Sequence, residues 1–405
     1  MNASHNKLLP PLDDRGPLRV LFLLTSMPVG GAEMLLVNLV RRMDRCRFLP
    51  EVCCLKELGP LGEELAREMP VHSRLLAGKY DVRVLPRLVG LMRRRRIDAA
   101  ITVGAGDKMF WGRLAAWRAG VPVVLSALHS TGWPDGVGRL NRWLTPLTDS
   151  FIAVAAAHGR HLVEGERFPA DKVRVIPNGV DAERFRPDPA ARRAIRGELG
   201  IADDAPVFTI VAALRPEKNH RLFVEAAALV RKECEAARFL IVGDGPERAA
   251  IEKAARDAQL GDSLLLLGTR GDVPQVLAAS DGFVLTSHNE ANPVSILEAM
   301  STGLPVVATR VGSVVESVED EITGFLVPPG DAQTIARHCV ALARDPAMRR
   351  EMGGTARERV IRHWSLDAMV SGYQKLIADV YQSKSERSRL LATAHRYADE
   401  VTAAR

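Results

Sequence analysis

The stretch LRVLFLLTSMPVGGAEMLLVNLVRRMDRCRFLPEVCCL, from Leu18 to Leu55, contains the pattern that decides the fold. Two nearly continuous apolar runs, RVLFLLT and FLPEVCCL, flank the amphipathic segment AEMLLVNLVRRM. Continuous apolar runs, without alternating polar residues, are typical of parallel strands that are covered on both faces of a sheet. The stretch therefore predicts a strand, a helix and a second parallel strand of a doubly wound α/β domain.

The same alternation of strands and helices continues along the chain. It recurs in IDAAITVG, VPVVLSALHS and SFIAVAA, and a second series begins with PVFTIVAAL after a segment rich in Pro, Asp and Arg. We predict an α/β protein of two doubly wound, Rossmann-like domains that face each other across a cleft. The expected domains are residues 18–185 and 206–382, with a linker at 186–205 and tails at 1–17 and 383–405.

The composition is that of a globular protein and excludes several other classes. The chain has 405 residues, of which 47% are hydrophobic and 26% charged, as in an ordinary globular protein. It has no long uncharged apolar run and no signal-peptide pattern at its start, so we expect a cytoplasmic protein, peripheral at most to the inner face of a membrane. The five cysteines form no CxxC pair, which argues against a disulfide framework or a zinc knuckle. Residues 1–185 carry a net charge of +8 and residues 186–405 a net charge of −2.

The strongest functional signal is HNEANPVSILEAMSTGLPVVAT, from His288 to Thr309. Glu290 follows the strand GFVLTS, Asn292 and Pro293 are expected to cap and begin the next helix, and Glu298 lies inside that helix. Free amides at a helix start can bind phosphate, and carboxylates accept hydrogen bonds from sugar hydroxyls. The pattern suits a nucleotide sugar, although two glutamates at this spacing also fit a solvated helix start.

The two glutamates, with Ala299-Met300 and Gly303-Leu304-Pro305-Val306-Val307 after them, resemble the signature of the GT-B glycosyltransferases of family 4. Other stretches match the family as well: Gly30–Glu33, Ile176–Asp181, Leu214–Lys218 and Val242–Pro246. The resemblance covers most of residues 18 to 380. It implies a retaining hexosyltransferase-like enzyme of class EC 2.4, which takes its sugar from a nucleotide diphospho-sugar and needs no metal and no further cofactor.

The resemblance also implies roles for individual residues. Glu290 would hold the donor sugar and His129 would approach it, which makes these two the catalytic candidates. Glu298 would hold the ribose, Lys218 the diphosphate, and Arg270 would lie near the base. The complete donor-binding set is Gly31, Arg215, Lys218, Arg270, Asn292, Val294 and Glu298.

Two departures from the family pattern leave alternatives open. The family commonly has an arginine where this chain has Ala213, so Arg215 is the candidate substitute. Between the glutamates, Ala291–Val294 replaces the common Gly-Phe-Gly-Leu, and Pro293 lacks a backbone donor. These departures keep a non-catalytic nucleotide-sugar-binding protein as an alternative to the transferase. A sugar-nucleotide epimerase, which shares the GT-B architecture, and a nucleotide-sugar hydrolase are further alternatives.

A basic cluster, formed by Arg93, Arg94, Arg95 and Arg96, ends the amphipathic stretch VRVLPRLVGLMRRRR. It is compatible with a solvated helix end or with contact to anionic lipid or a lipid-linked acceptor. Nucleic acid is not expected, because no aromatic residues are interleaved with the basic ones. Together these features predict a transferase that uses a nucleotide sugar and acts on a carbohydrate or lipid-linked acceptor of polysaccharide assembly.

Overall fold

The computed structural model describes residues 9–78, 81–129 and 141–403, and the chain divides into two compact units. The first unit consists of Met1–Ala153, Gly159–Ile176 and Met369–Arg405, and the second of Val154–His158 and Pro177–Ala368. Each unit is built on one parallel sheet. The prediction of two doubly wound α/β domains is therefore confirmed.

The first unit holds a seven-stranded parallel sheet with the strand order β3-β2-β1-β4-β5-β6-β7. Its strands are β1 Leu18–Leu24, β2 Phe48–Cys54, β3 Val71–His72, β4 Ala99–Val103, β5 Val123–Ala127, β6 Ser150–Ala153 and β7 Val173–Val175. Most strand residues are buried, as expected for a sheet covered on both faces. The strand order reverses between β1 and β4, and this is the switch point of the sheet.

The helices before the second sheet are α1 Leu12–Arg15, α2 Gly31–Arg42, α3 Gly59–Leu65, α4 Val84–Arg95, α5 Asp107–Ala119 and α6 Ala156–Glu164. In α2, Leu35, Leu36, Leu39 and Val40 are buried, and their spacing of three to four residues puts them on one face. The sequence pattern thus gives α2 an apolar face that packs within the unit.

The second unit holds a six-stranded parallel sheet with the order β10-β9-β8-β11-β12-β13. Its strands are β8 Val207–Val211, β9 Arg238–Val242, β10 Leu264–Gly268, β11 Gly282–Leu285, β12 Val306–Thr309 and β13 Gly324–Val327. Phe208 stacks on Phe239 with ring centroids 6.1 Å apart, and Phe223 meets Phe239 edge-on. The switch point lies between β8 and β11.

The helices of the second unit are α7 Pro189–Glu198, α8 His220–Glu233, α9 Arg248–Asp257, α10 Val273–Ala278, α11 Val294–Ser301, α12 Val314–Ser317, α13 Ala332–Arg344 and α14 Pro346–His363. The expected linker contains α7, which Asp188 caps by accepting from the amides of Ala190 and Ala191. Arg196 is buried and bonds Asp281 at 2.7 Å. The expected linker is therefore an ordered part of the second unit.

The last helix, α15 Leu366–Ala403, differs from the sequence expectation. Residues beyond 382 were expected to form a frayed tail, but the helix continues because it packs on the first unit. Tyr381 is fully buried, Lys384 Nζ bonds Asp149 Oδ1 at 2.6 Å, and Ser385 Oγ donates to Leu9 O at 3.0 Å. Among the helices of the described ranges, none is both long and apolar enough to cross a bilayer.

Candidate functional site

Polar side chains from two strand tips meet at the switch point of the second sheet. Lys218 ends the short turn Pro216–Lys218 after β8, and Ser287 and Glu290 follow β11. In doubly wound sheets, ligands bind outside the carboxyl ends of the strands at such a switch point. This edge of the second sheet is therefore the candidate site.

Glu290 is the centre of this cluster, and only 7% of its side chain is exposed. Lys218 Nζ lies 2.6 Å from Glu290 Oε1, and Ser287 Oγ donates to the same oxygen at 2.6 Å. Oε2 accepts no hydrogen bond from any residue that the structure describes. One carboxylate oxygen is thus anchored and compensated in charge, and the other is left for a ligand.

The tip of β11 also fixes the backbone that carries the lysine. Thr286 Oγ1 donates to Lys218 O at 3.1 Å, and the amide of His288 donates to Glu217 O at 2.9 Å. Asn219, which follows the lysine, has a left-handed backbone with φ +48°. Successive residues of one strand tip therefore hold both the cation and the carboxylate.

The loop after Glu290 is held by two other segments. Gly312 has φ +49°, and a Cβ there would lie 1.8 Å from Glu290 O, so only glycine fits. The amide of Ser313 donates to Glu290 O at 3.2 Å. Asn178, from the stretch IPNGVD, donates through Nδ2 to Asn292 O at 3.1 Å. The backbone between the two glutamates is consequently held by these contacts in the ligand-free protein.

Asn292 does not cap the helix, so that prediction is wrong. The helix α11 begins at Val294, and Pro293, with ψ 112°, occupies the capping position without a side-chain hydrogen bond. Asn292 lies one residue too early and donates instead to Val154 O at 3.0 Å. The first amides of α11 have no acceptor within their own helix. Those amides, including that of the partly buried Val294, are the part of the site that could receive an anion.

Glu298 lies in the second turn of α11 and is partly buried. Burial raises the pKa of its carboxyl to about 7, and the Arg184 guanidinium acts in the opposite direction. A carboxyl with this pKa exchanges its proton close to neutral pH. A ligand that needs it as an acceptor of hydrogen bonds would displace that proton.

The two predicted arginines of the second unit differ in their surroundings. The Arg215 side chain is 64% exposed, and its ion pair with Glu217 spans 3.9 Å, so it is weakly held. Arg270 bonds Asp272 Oδ2 at 2.6 Å and Glu198 Oε1 at 2.7 Å, and these hydrogen bonds raise its pKa. Arg270 therefore has carboxylate partners of its own and does not join the lysine cluster, whereas Arg215 can move.

The first unit carries the remaining two predicted residues. Gly31 is the exposed first residue of α2, just beyond β1, and no side chain caps this helix. His129 is partly buried two residues after β5, where it lines a small cavity of about 10 Å³ with Phe22, Leu35 and Tyr373 among others. Both residues follow the carboxyl ends of strands, as expected for ligand-binding positions.

The basic cluster lies at the opposite edge of that sheet, at the end of α4 and before β4. Arg95 bonds the buried Glu51 at 2.9 Å, and Arg93 Nη2 donates to Arg118 O at 2.8 Å. Burial opposes ionisation of Glu51, but hydrogen bonds from His72, Arg95 and Arg19 outweigh it and lower its pKa to about 2. Arg94 and Arg96 are exposed. The cluster is therefore partly structural and stands away from Gly31 and His129.

Several residues of the site were missed in the sequence, chiefly Ser287, Thr286, Asn178 and Ser313. A polar pair at the end of the apolar strand GFVLTS could have indicated the first two, since ligand-facing residues follow such strands. No local pattern could have indicated Ser313, because its contact depends on tertiary packing. In the described residues, no group of three or more His, Cys, Asp or Glu side chains is arranged to hold a metal ion.

Comparison with known proteins extends this picture. Residues 29–184 match the family model for Glycosyltransferase Family 4, and residues 191–359 match that for Glycosyl transferases group 1. The chain is 30% identical, over 81% of its length and 89% of the relative, to the UDP-Gal:alpha-D-GlcNAc-diphosphoundecaprenol alpha-1,3-galactosyltransferase of Escherichia coli. It is 28% identical to the N-acetyl-alpha-D-glucosaminyl L-malate synthase of Bacillus anthracis, over 74% and 80% of the two chains.

Solved structures show the same fold. The Anabaena protein Alr3699/HepE, in complex with UDP and glucose, superposes with a TM-score of 0.79 at 23% identity and covers 89% of this chain and 99% of its own. A glycosyltransferase from Rickettsia africae gives 0.77 at 19% identity, over 90% and 98% of the two chains.

Two Rossmann-like sheets and these likenesses define a glycosyltransferase of the GT-B fold, a transferase of class EC 2.4. The chain belongs to glycosyltransferase family 4. The predicted family and enzyme class are thereby confirmed, and the substrates and the roles of individual residues remain predictions.

Proposed function

We propose that this glycosyltransferase takes a sugar from a nucleotide diphospho-sugar and transfers it, with retention of anomeric configuration, to a lipid-linked or polysaccharide precursor. One observation carries the proposal: a lysine and a carboxylate meet at the switch point of the second sheet, just before a helix start with free amides. A diphosphate needs the cation and the amides, and a sugar needs the carboxylate.

The proposed division of roles follows the chemistry of each group. Lys218 and the first amides of α11 bind the diphosphate and stabilise the charge that develops as it leaves. Glu290 accepts hydrogen bonds from hydroxyls of the donor sugar, and Glu298 accepts them from the ribose. Gly31 lets backbone amides approach the diphosphate, and His129 donates to a hydroxyl of the transferred sugar. Because the diphosphate has these partners, no metal or further cofactor is proposed.

The transfer step is written so that its atoms balance. A hydroxyl oxygen of the acceptor forms a bond to the anomeric carbon while the bond from that carbon to the diphosphate oxygen breaks. The acceptor attacks the anomeric carbon from the face that the diphosphate leaves, so the configuration is retained. The proton of the acceptor hydroxyl goes to the departing phosphate oxygen on that face. The products are the glycosylated acceptor and the nucleoside diphosphate.

The acceptor is proposed from the relatives. The Escherichia coli relative is named for a diphosphoundecaprenol acceptor, which supports a lipid-linked sugar as acceptor here too. An acceptor of this kind would bring the enzyme to the inner face of a membrane, where the exposed Arg94 and Arg96 can meet anionic lipid.

A panel of nucleotide sugars, each with and without lipid-linked acceptors, tests the proposal. The expected result is a nucleoside diphosphate and a glycosylated lipid whose new linkage, by NMR, has the anomeric configuration of the donor. Inversion would contradict retention. Turnover to an altered nucleotide sugar would indicate an epimerase, release of free sugar a hydrolase, and binding without turnover a non-catalytic protein.

A further inference from the structure

Ser287 is a fully buried serine at the tip of β11 whose hydroxyl points at a functional carboxylate. Its Oγ donates to Glu290 Oε1 at 2.6 Å, and Thr309 Oγ1 donates to Ser287 O at 2.6 Å. The backbone carbonyl of this serine is thus hydrogen-bonded to β12, and its side chain is hydrogen-bonded to Glu290. The hydrogen bond is charge-assisted, which makes it stronger than one between neutral groups.

Glu290 Oε1 also accepts a hydrogen bond from Lys218 Nζ. Binding of a nucleotide sugar is expected to affect the lysine and the serine hydrogen bonds differently. A diphosphate carries more negative charge than a carboxylate and competes for the lysine ammonium. The Ser287 hydroxyl is neutral and buried, so a diphosphate does not compete for it and its hydrogen bond to Oε1 is kept. When the lysine turns to the diphosphate, the serine is the group that still holds Oε1, and Oε2 keeps its direction.

We infer that Ser287 is a positioning residue for donor-sugar recognition: it holds Oε1 of Glu290 so that Oε2 accepts the sugar hydroxyls. The inference rests on the proposed function, because it assumes that the ligand is a nucleotide sugar. A serine with a purely structural role at the end of the strand would affect the stability of the fold. It would not affect the ratio of the affinities for a nucleotide sugar and for the nucleoside diphosphate.

The chain offers a matched control at the other end of the same strand. Ser280 is also buried, and its Oγ lies 2.6 Å from Thr209 Oγ1 and donates to Val276 O at 2.9 Å. It lies at the amino end of β11, away from the candidate site. Ser280→Ala therefore removes a comparable buried hydroxyl without touching Glu290.

The experiment measures, by calorimetry, the affinity of the intact protein for a nucleoside diphosphate and for the corresponding nucleotide sugar. The quantity of interest is the ratio of the two affinities. Ser287→Ala should lower the preference for the nucleotide sugar about tenfold, as expected for the loss of a hydrogen bond to a charged group, and should leave diphosphate affinity within about twofold. Ser280→Ala should leave the ratio unchanged.

A double-mutant cycle separates positioning from a structural effect. In a Glu290→Ala background, Ser287→Ala should change the ratio no further, because the carboxylate that it holds is gone. Ser287→Cys, which keeps a weak donor, should fall between serine and alanine. Thermal unfolding of all variants identifies any that fail to fold.

Two outcomes would overturn the inference: an unchanged ratio in Ser287→Ala, or a loss that persists in the Glu290→Ala background. If Ser287→Ala fails to fold, Ser287→Cys decides by the same criterion. Failure of the wild type to bind any nucleotide sugar would instead refute the proposed function, and the inference with it. The wild-type titration thus distinguishes the two failures.

Discussion

Lys218 Nζ lies 2.6 Å from Glu290 Oε1, so the residue proposed for the diphosphate and the residue proposed for the sugar bind each other in the ligand-free protein. Their charges compensate at a site where only 7% of the glutamate side chain is exposed. With the proposed roles, binding of a nucleotide sugar separates this pair, and each partner then contacts one part of the ligand. The proposed site thus couples recognition of the diphosphate to recognition of the sugar.

The first prediction concerns Glu290→Ala. Removal of the carboxylate frees Lys218, so the nucleoside diphosphate should bind as tightly as to the wild type or a few-fold more tightly, while transfer is lost. Lys218→Ala should weaken diphosphate binding by about 1.5–3 kcal/mol, as expected for a hydrogen bond to a charged group. Titration calorimetry measures both, and a clear loss of diphosphate affinity in Glu290→Ala would contradict the assigned roles.

The second prediction is a pH dependence through Glu298. The pKa of this carboxyl is about 7, so its ionised fraction rises from about one tenth at pH 6 to about nine tenths at pH 8. If only the ionised form grips the ribose, nucleotide affinity should rise by up to about tenfold over this range, with proton release on binding.

Glu298→Gln is the control for this dependence. It removes the titrating carboxyl, so any pH dependence that remains comes from ionisation of the nucleotide itself. It should bind about 1.5–3 kcal/mol more weakly at pH 8 and lack the additional rise. The stability of the ligand-free fold should change in the opposite sense. Protonated Glu298 contributes most below its unfolded pKa of about 4.5, and this contribution is lost as pH rises through 7. If the nucleotide affinities of the wild type and of Glu298→Gln change with pH in the same way, Glu298 is not the titrating group.

The third prediction is that activity is independent of divalent metal. The proposed charge partners of the diphosphate are an ammonium group and helix amides, neither of which needs an ion as a bridge. Transfer should proceed at an unchanged rate in excess EDTA. A rate that falls with EDTA and recovers on addition of Mg²⁺ or Mn²⁺ would contradict these assignments.

The fourth prediction tests Arg215 as the substitute for the charge missing at Ala213. The arginine side chain is 64% exposed and its ion pair with Glu217 is long, so little holds it in its present position. Arg215→Ala should lower kcat about tenfold or more, and Ala213→Arg should be neutral or beneficial. Arg193, which is exposed on α7, offers a matched control as Arg193→Ala. An unchanged kcat in Arg215→Ala would leave Lys218 as the sole side-chain cation in the proposed diphosphate site.

The fifth prediction separates the two parts of the basic cluster. Arg95→Gln should lower the free energy of unfolding by about 1–3 kcal/mol, because the buried Glu51 loses a bidentate partner. A variant with Arg93, Arg94 and Arg96 changed to glutamine should fold normally and bind anionic vesicles less well at low salt, by up to about 3 kcal/mol. If the wild type does not co-sediment with anionic vesicles, the exposed arginines of the cluster have no role in membrane binding.

The sequence predicted the fold well because its signals are local. The apolar runs around Leu18–Leu24 and Val207–Val211 are nearly continuous, which is typical of parallel strands buried on both faces. The order of the strands was not predicted from the sequence and is known only from the structure. The end of α15 was missed because its residues look polar, and their order comes from contacts with residues more than two hundred positions away, such as Asp149.

The candidate site was predicted in part. The structure brings Lys218 and Glu290 together, as expected for residues that follow adjacent strands. Arg270 lies apart from them in ion pairs with Asp272 and Glu198, which the sequence did not indicate, and its expected place near the base stays a prediction. The prediction that Asn292 caps α11 was wrong because the helix begins at Val294, one residue later than expected.

The helix α15 has a consequence for the way the protein is made. The first unit contains β1 and also Met369–Arg405, which follow the whole of the second unit along the sequence. The second unit is complete once Ala368 has been synthesised, whereas the first unit still lacks Met369–Arg405 at that point. A chimera that exchanges first units between relatives by a single crossover near residue 177 would separate the first sheet from its own last helix. Such an exchange needs two crossovers, with the second one near residue 369.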